Sequence, residues 1–180
     1  MEQITNYKLK DFFKQDITLI QDYINILQHL EPVPTKNEVF HLKLKEVEFI
    51  KNNLSNDDDE ALFEILAMVQ GVKESQILNT GIIEIFGLIN SVKEQLERIQ
   101  KAEASSLVSD NTNIKWETVN GSERMAKFGI YNTLDALSDG DILKWDAILE
   151  LKFSDVFMKL LLNKTKNDLE SEMNNIKTKH

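Results

Sequence analysis

Apolar residues recur along most of this chain at steps of three and four positions, the spacing that brings side chains to one face of an α-helix. The first run extends from Leu9 to Leu30. It stops at Pro32 and Pro34, because proline lacks a backbone donor and its ring clashes with the preceding helical turn. The pattern therefore predicts an N-terminal helix or helix pair followed by a linker.

The central part of the chain repeats this spacing three times. A short helix is predicted around Leu44–Leu54, and the next is expected to start at Ser55 or Asn56 as its N-cap and to end at a left-handed Gly71. The strongest apolar run predicts the central core helix over Thr80–Ala104. Its expected core positions are Ile82, Phe86, Ile89, Val92, Leu96 and Ile99.

The segment that begins at Ile114 departs from the helical spacing. Its apolar residues approach a period of two, and the run closes with Asn120-Gly121. Alternation followed by Asn-Gly is the usual signal of a β-hairpin turn, although no partner strand is evident here. We expect an ordered, exposed loop or at most one small β-hairpin near 114–122.

Large apolar side chains return in the C-terminal third and lead into a long helix predicted over Ser154–Lys177. The last turns of this helix are rich in Lys and Asn, so they gain little by packing on the chain's own core. We expect the helix to project and to dock on another subunit or partner through a narrow apolar stripe. For Trp145, anchoring of the core is the alternative role, since Trp is common both in cores and in binding hot spots. The candidate partner-binding residues are Trp145, Phe153, Phe157, Leu160, Leu169, Met173 and Ile176.

Together these elements predict an all-α fold, an irregular helical bundle with an N-terminal helical arm and a projecting C-terminal helix. No internal repeat of fixed period is visible. The expected divisions are an arm over 1–31, a helical core over 35–104, an exposed loop or small hairpin over 105–121, and a C-terminal helical segment over 122–180 that packs on the core and projects.

Composition and charge narrow the function classes. The chain has 180 residues, 42% of them hydrophobic, which suffices for one domain with a core. Its formal charge of -9 argues against direct nucleic-acid binding, because phosphate-binding surfaces are basic. Cysteine is absent, which excludes disulfides and thiolate chemistry. The start lacks the features of a signal peptide, and no apolar run has the length of a membrane span. We expect the protein to stay in a cytoplasm or in a particle assembled there.

Few residue combinations suggest chemistry. The histidines, His29, His41 and His180, show no metal-ligand spacing. The glycines form no phosphate-binding loop, and the GxSxG motif of a nucleophile elbow is absent. We therefore expect no catalytic residues, no metal ion and no cofactor.

One stretch comes close to a calcium-binding loop. Asp135, Asp139, Gly140 and Asp146 match positions 1, 5, 6 and 12 of such a loop. Position 3, however, holds Leu137 where an oxygen ligand is required, and position 12 lacks the bidentate Glu. A helix end followed by a new N-cap at Asp139 or Asp141 explains the same residues.

Several segments resemble a known family. Leu42–Ile50, the acid-capped helix through 62–69 and the long helix through 86–96 follow one another in an order that resembles small helical tail assembly chaperones of bacteriophages. Asp146–Phe157 is similar to the endings of such proteins. The resemblance covers about residues 40–160, and the N-terminal arm is longer than a minimal member requires. Helical head–tail adaptor or ring proteins around a phage portal resemble the chain in the same way.

The resemblance implies a non-enzymatic role in virion assembly, with repeated copies and a large protein partner. If the chain is a tail assembly chaperone, the resemblance implies that it shields amphipathic helices of the tape measure protein in an apolar groove. The tail tube, or the portal and neck proteins, are the other implied partners. A homo-oligomer without membrane contact is expected, in the host cytoplasm during assembly or in the virion.

Two other classes stay open. An acidic protein that imitates DNA and inhibits a DNA-binding partner needs carboxylates spaced like phosphates, whereas the 21 Lys and Arg here are interspersed with the acids. The third class is an enzyme with a carboxylate metal site, since 30 Asp and Glu inevitably produce accidental pairs.

Overall fold

The computed structural model describes residues 7–56, 58–108 and 114–177. In this part of the chain the regular elements are helices, accompanied by two isolated β-bridges, which confirms the predicted all-α class. Short 3-10 helices span Val39–His41 and Ile142–Lys144. Among the described residues, no helix combines the length and the apolar character that crossing a membrane requires. The α-helices are α1 (Leu9–Phe12), α2 (Ile17–Leu27), α3 (Leu44–Asn53), α4 (Asp59–Gln70), α5 (Glu74–Ile77), α6 (Ile82–Ser106), α7 (Ile114–Thr118), α8 (Gly121–Ala126), α9 (Ile130–Ser138), α10 (Trp145–Leu149) and α11 (Phe153–Lys177).

The chain divides into two compact units. Unit 1 comprises Met1–Leu42 and Phe49–Arg98, and unit 2 comprises Lys43–Glu48 and Ile99–His180. In sequence, unit 1 holds 15 Asp and Glu against 8 Lys and Arg, a net charge of -7. Unit 2 holds 15 against 13, a net charge of -2. The acidity of the chain therefore resides mainly in unit 1.

The N-terminal segment, predicted as an arm, contributes to the core of unit 1. Leu9 and Phe12 are 4% and 2% exposed, and the Leu9 amide donates to the carbonyl of Thr80 at 3.0 Å. The Phe12 ring lies 6.2 Å from the ring of Tyr23 in α2. Through these long-range contacts the segment is part of unit 1. The buried cluster consists of Leu9, Phe12, Leu27, Leu66, Ala67, Ile77, Ile82, Ile85 and Leu88.

Helix α6 is the predicted central helix, displaced by two residues at each end. Four of its six predicted core positions are buried, but Phe86 and Ile89 are only half-buried. Ile85 and Leu88, 1% and 0% exposed, are buried in their place. Both sets obey helical spacing, so the apolar pattern alone did not distinguish the two registers.

The proline-containing linker is held along α6. The side chain of Gln95, 8% exposed, accepts a hydrogen bond from the Val39 amide at 2.8 Å and donates one to the Thr35 hydroxyl at 2.9 Å. The Val33 amide donates to the carbonyl of Gly87 at 2.9 Å. A Cβ at Gly87 would lie 2.4 Å from a methyl group of Val33, so this approach of the linker requires glycine. The linker is thus an ordered part of unit 1.

Both ends of α4 are capped, one of them differently from the prediction. Gly71 has the predicted left-handed conformation, with φ 60°. The N-cap is Asp58, whose carboxylate accepts from the second and third amides after it, at 3.0 and 3.2 Å. Ser55 and Asn56, the predicted candidates, are not the N-cap, because the Asn56 amide still donates a hydrogen bond to the carbonyl of Asn53 at the end of α3, at 3.0 Å.

The hairpin alternative near 114–122 is wrong, because the structure has the short helices α7 and α8 there. Asn120 takes the left-handed conformation with φ 54° and links the two helices. The Trp116 ring packs on Gly121 so closely that a Cβ would lie 2.3 Å from it. The Asn-Gly pair therefore forms a turn between two helices. Such a turn uses a residue in the left-handed conformation and a residue without a side chain, as a hairpin turn does.

The rest of the predicted loop over 105–121 also differs from expectation. Helix α6 continues to Ser106, and residues 109–113 lie outside the described residues. The exposed loop is thereby reduced to short connections in the part of this segment that the structure describes.

An ionic clasp joins the two chain segments of unit 2. The Leu44 amide donates to the carbonyl of Leu151 at 2.8 Å. The Glu150 carboxylate accepts hydrogen bonds from Lys43, at 2.7 Å, and from Lys45. These hydrogen bonds lower the pKa of Glu150 from 4.5 to about 2, and the bond from Lys43 contributes most. The bond to Glu150 likewise raises the pKa of Lys43.

Candidate functional site

Two of the seven predicted partner-binding residues are buried in the structure, and two others are half-buried. Phe153 and Phe157 are 3% and 8% exposed, with ring centroids 6.3 Å apart, and Leu160 is half-buried. The first turns of α11 therefore supply core residues. This corrects the prediction for Phe153 and Phe157, which are not available to a partner in this structure.

Trp145 is half-buried and connects α10 to α9. Its indole Nε1 donates a hydrogen bond to the Ser138 hydroxyl at 3.2 Å, and its ring centroid lies 5.4 Å from that of Tyr131. Ser138 is fully buried and donates in turn to the carbonyl of Asp135 at 3.2 Å. Trp145 thus has an anchoring role, and part of its ring remains exposed.

The connection between α9 and α10 is tightly bonded. Asp139 and Gly140 both have positive φ, 53° and 80°, and the Gly140 amide donates to the carbonyl of Asp135 at 3.1 Å. The Asp141 carboxylate accepts from the Leu143 amide at 3.1 Å and caps the 3-10 helix that follows. This is the helix end and new N-cap predicted as the alternative to a calcium loop. In the described part of the chain, no group of three or more acidic or histidine side chains is placed to hold a metal ion.

This rigid connection presents two aliphatic side chains to solvent. Ile142 is 64% exposed and Leu143 is 88% exposed, the highest value among the large apolar side chains described. The 3-10 helix that carries them packs against α9 and α10, and Tyr131 on α9 is 54% exposed. We call Tyr131, Ile142, Leu143 and Trp145 the Trp145 surface. Of these four residues only Trp145 was predicted from the sequence, although the adjacent aliphatic pair Ile142 and Leu143, close to the aspartates that mark two helix ends, was a signal for the others.

A second exposed apolar feature runs along α11. The predicted residues Leu169, Met173 and Ile176 are 53%, 57% and 64% exposed. Met158 and Leu162, 60% and 49% exposed, lie on the same side of the helix and were missed. We call the set the α11 stripe: Met158, Leu162, Thr165, Leu169, Met173 and Ile176.

Unit 1 has a surface depression with a volume of about 300 Å³, and its lining is mainly polar. Seven of its nine lining residues are polar, among them His29, Lys93 and Glu94. The side chain of Asn90 beside them donates to the carbonyl of Leu30 at 2.7 Å and so holds the linker. Small-molecule sites are mostly apolar with a few convergent polar groups, so this depression does not favour a ligand.

Comparisons of the chain with protein-family models, with curated proteins and with solved structures found no match. The Trp145 surface and the α11 stripe are therefore the basis for inferring function. Both can bury apolar area against another protein, and the Trp145 surface combines the Trp and Tyr side chains that are enriched in binding hot spots.

Proposed function

We propose that this chain is a non-enzymatic phage virion assembly protein, either a tail assembly chaperone or a neck adaptor or ring component, that acts by binding proteins through unit 2. The observation that carries the proposal is the Trp145 surface, where Ile142 and Leu143 are 64% and 88% exposed on a tightly bonded turn. The resemblance of residues 40–160 to phage tail assembly chaperones supports the class.

The rigidity of the turn supports a binding role. Ordering a loop and its side chains is one of the main costs of association. Here the capping carboxylate of Asp141 and the two left-handed residues before it already fix the backbone in the free chain. Ile142 and Leu143 are thus preorganised, and a partner that buries them gains apolar contact without first ordering the loop.

The charge distribution supports the same assignment. Unit 2, at -2, is nearly neutral, so a protein partner meets little long-range repulsion there. Unit 1, at -7, disfavours nonspecific contact with nucleic acid during packaging and assembly. In this account the protein acts in the host cytoplasm during assembly, and an adaptor also stays in the virion.

Co-expression with the products of the neighbouring genes tests the proposal. We expect a stable complex with a virion protein, which persists for an Ile17→Asp control and is lost on the Ile142→Asp/Leu143→Asp double substitution. Ile17 is a suitable control because it is 80% exposed and lies in unit 1. Binding to a tape measure segment identifies a chaperone, and binding to a portal or neck protein identifies an adaptor. Neighbouring genes without virion functions, or complexes insensitive to the double substitution, would overturn the proposal.

Inhibition by DNA mimicry is the second candidate function, favoured by the concentration of acidic residues in unit 1. The first turn of α4 presents Asp58, Asp59 and Glu60 together at the surface. This hypothesis predicts salt-sensitive binding of the chain to a DNA-binding protein, in competition with duplex DNA. Asp59→Asn/Glu60→Gln should weaken that competition, and an absence of competition at low salt rejects the hypothesis.

A further inference from the structure

The α11 stripe has an unusually regular period. Its residues follow one another at intervals of 4, 3, 4, 4 and 3 positions, so that Met158, Leu162 and Thr165 recur eleven residues later as Leu169, Met173 and Ile176. An eleven-residue repeat corresponds to about 3.67 residues per turn, close to the 3.6 of a straight α-helix. The stripe therefore stays on one face over a length of about 27 Å, at 1.5 Å per residue.

The opposite side of the helix is already in use. Leu160, Lys164 and Ser171 lie away from the stripe and are half-buried, whereas every member of the stripe is exposed. Lys164 forms an ion pair of 2.6 Å with Asp168, which lies between this covered side and the stripe. The fold thus partly covers one side of α11 and leaves on the other a row of five apolar side chains and Thr165, whose hydroxyl donates to the carbonyl of Leu161 at 2.9 Å.

We propose that the α11 stripe pairs with the stripe of a second copy of this chain, with the two helices antiparallel. In that arrangement Met158 faces Ile176 of the second copy, Leu162 faces Met173 of the second copy, and Thr165 faces Leu169 of the second copy. The two-fold axis repeats each layer, so all six positions of both stripes are matched. The surface is self-complementary, as an isologous interface requires.

Charge selects the second copy and the orientation. Residues 153–177 carry four Lys and four Asp or Glu, so this helix is neutral in a chain of charge -9. Lys166 and Glu170 border the same edge of the stripe. In an antiparallel pair, but not in a parallel one, this edge of one helix lies beside the same edge of the other. Lys166 of each copy then lies opposite Glu170 of the second copy, which gives two ion pairs. Asp168 borders the other edge near the axis, where its ion pair with Lys164 offsets repulsion from its symmetry mate. Antiparallel helix dipoles add to the preference.

The interface is small, because it consists of about five helical turns from each copy. Contacts at the low end of the interface size range are transient, so we expect a dimer with a Kd on the order of micromolar. This inference goes beyond the proposed function, since it concerns α11 and holds whether or not the Trp145 surface binds a virion protein.

Sedimentation of the full chain from about 1 to about 100 μM, a range that brackets such a Kd, tests the pairing. The wild type should shift from monomer to dimer. Leu169→Glu, at the centre of the stripe, should weaken the dimer by more than about tenfold, as loss of a central apolar contact does. Asn167→Glu is the matched control, because it adds the same charge at an exposed position on the side away from the stripe, and it should change the Kd by less than about twofold. Equal effects of the two substitutions, or a monomer throughout, would overturn the proposal.

Orientation is tested by disulfide formation, which has no background because the native chain lacks cysteine. In the antiparallel pair Leu162→Cys and Met173→Cys lie opposite each other, whereas each residue lies about 16 Å from its own symmetry mate. A mixture of the two variants should therefore form a mixed disulfide on mild oxidation, and each variant alone should not. Self-linked dimers of each single variant would contradict the antiparallel arrangement. Failure in either experiment leaves the test of the Trp145 surface unaffected, so the two proposals are distinguishable.

Discussion

The indole Nε1 of Trp145 donates a hydrogen bond to the Ser138 hydroxyl at 3.2 Å and so joins the start of α10 to the end of α9. The residue predicted to contact a partner is therefore first a structural residue. Its attachment fixes the turn that carries Ile142 and Leu143, which makes the exposed pair a rigid feature of unit 2.

A double-mutant cycle between these two residues should show coupling. Ser138→Ala removes the acceptor and Trp145→Phe removes the donor, so each substitution breaks the same hydrogen bond. We expect a coupling free energy of about 0.5–1.5 kcal/mol in urea unfolding followed by circular dichroism, the usual range for a hydrogen bond. Additive effects of the two substitutions would show that the bond does not contribute to stability.

Shortening single side chains of α6 should distinguish the face that is buried in the structure from the face predicted from the sequence. Leu88 is 0% exposed and belongs to the buried cluster, so Leu88→Ala should cost about 2–5 kcal/mol of unfolding free energy. Phe86 is half-buried, so Phe86→Ala should cost less, despite its larger side chain. Chemical denaturation of both variants measures the order, and a larger loss for Phe86→Ala contradicts the register described.

The linker along α6 should loosen when Gln95 loses its polar groups. Gln95→Met keeps a similar volume but leaves the Val39 amide without its acceptor, a loss of about 1–3 kcal/mol for a buried donor. Hydrogen exchange at the Val39 amide should accelerate more than exchange in α4. The exposed neighbour Glu94 provides the control substitution Glu94→Gln, and equal exchange in both variants would mean that the Gln95 contact does not hold the linker.

The Glu150 clasp predicts a pH dependence. The pKa of Glu150 is about 2 in the folded chain, below the ordinary value of 4.5. The contribution of this carboxylate to stability is therefore present above pH 4.5 and is lost as the pH falls toward 2. The stability difference between wild type and Glu150→Gln should therefore shrink across this window. Because the clasp is exposed, salt at about 1 M should reduce the difference at neutral pH as well. A difference that is constant from pH 7 to pH 2 would rule out the ionic contribution.

Local features of the fold followed from the sequence because they depend on neighbouring residues. Helical spacing indicated α6 and α11, Gly71 indicated the left-handed end of α4, and Asp141 was one of two aspartates expected to cap the helix after α9. Packing between distant segments was not visible in the same way. Nothing in the local pattern around Leu9 indicated that its amide would bond to Thr80.

The candidate site was predictable only in part, for a related reason. Apolar periodicity is the same whether a helix packs on its own unit or on a partner, so Phe157 and Leu169 were indistinguishable before their burial was known. Their exposures of 8% and 53% separate the core of unit 2 from the α11 stripe. The eleven-residue spacing of Met158 and Leu169 was present in the sequence, but it has meaning only once both residues are known to face solvent.

The affinity of the full chain for its virion partner, measured by titration calorimetry, tests the central claim most directly. Leu143→Asp should weaken binding by more than about tenfold and leave the thermal midpoint unchanged, because the side chain is 88% exposed and contributes little to the fold. Ile17→Asp, at a residue 80% exposed in unit 1, should leave the affinity within about twofold. Equal affinities for wild type and Leu143→Asp would contradict the assignment of the Trp145 surface as the binding site.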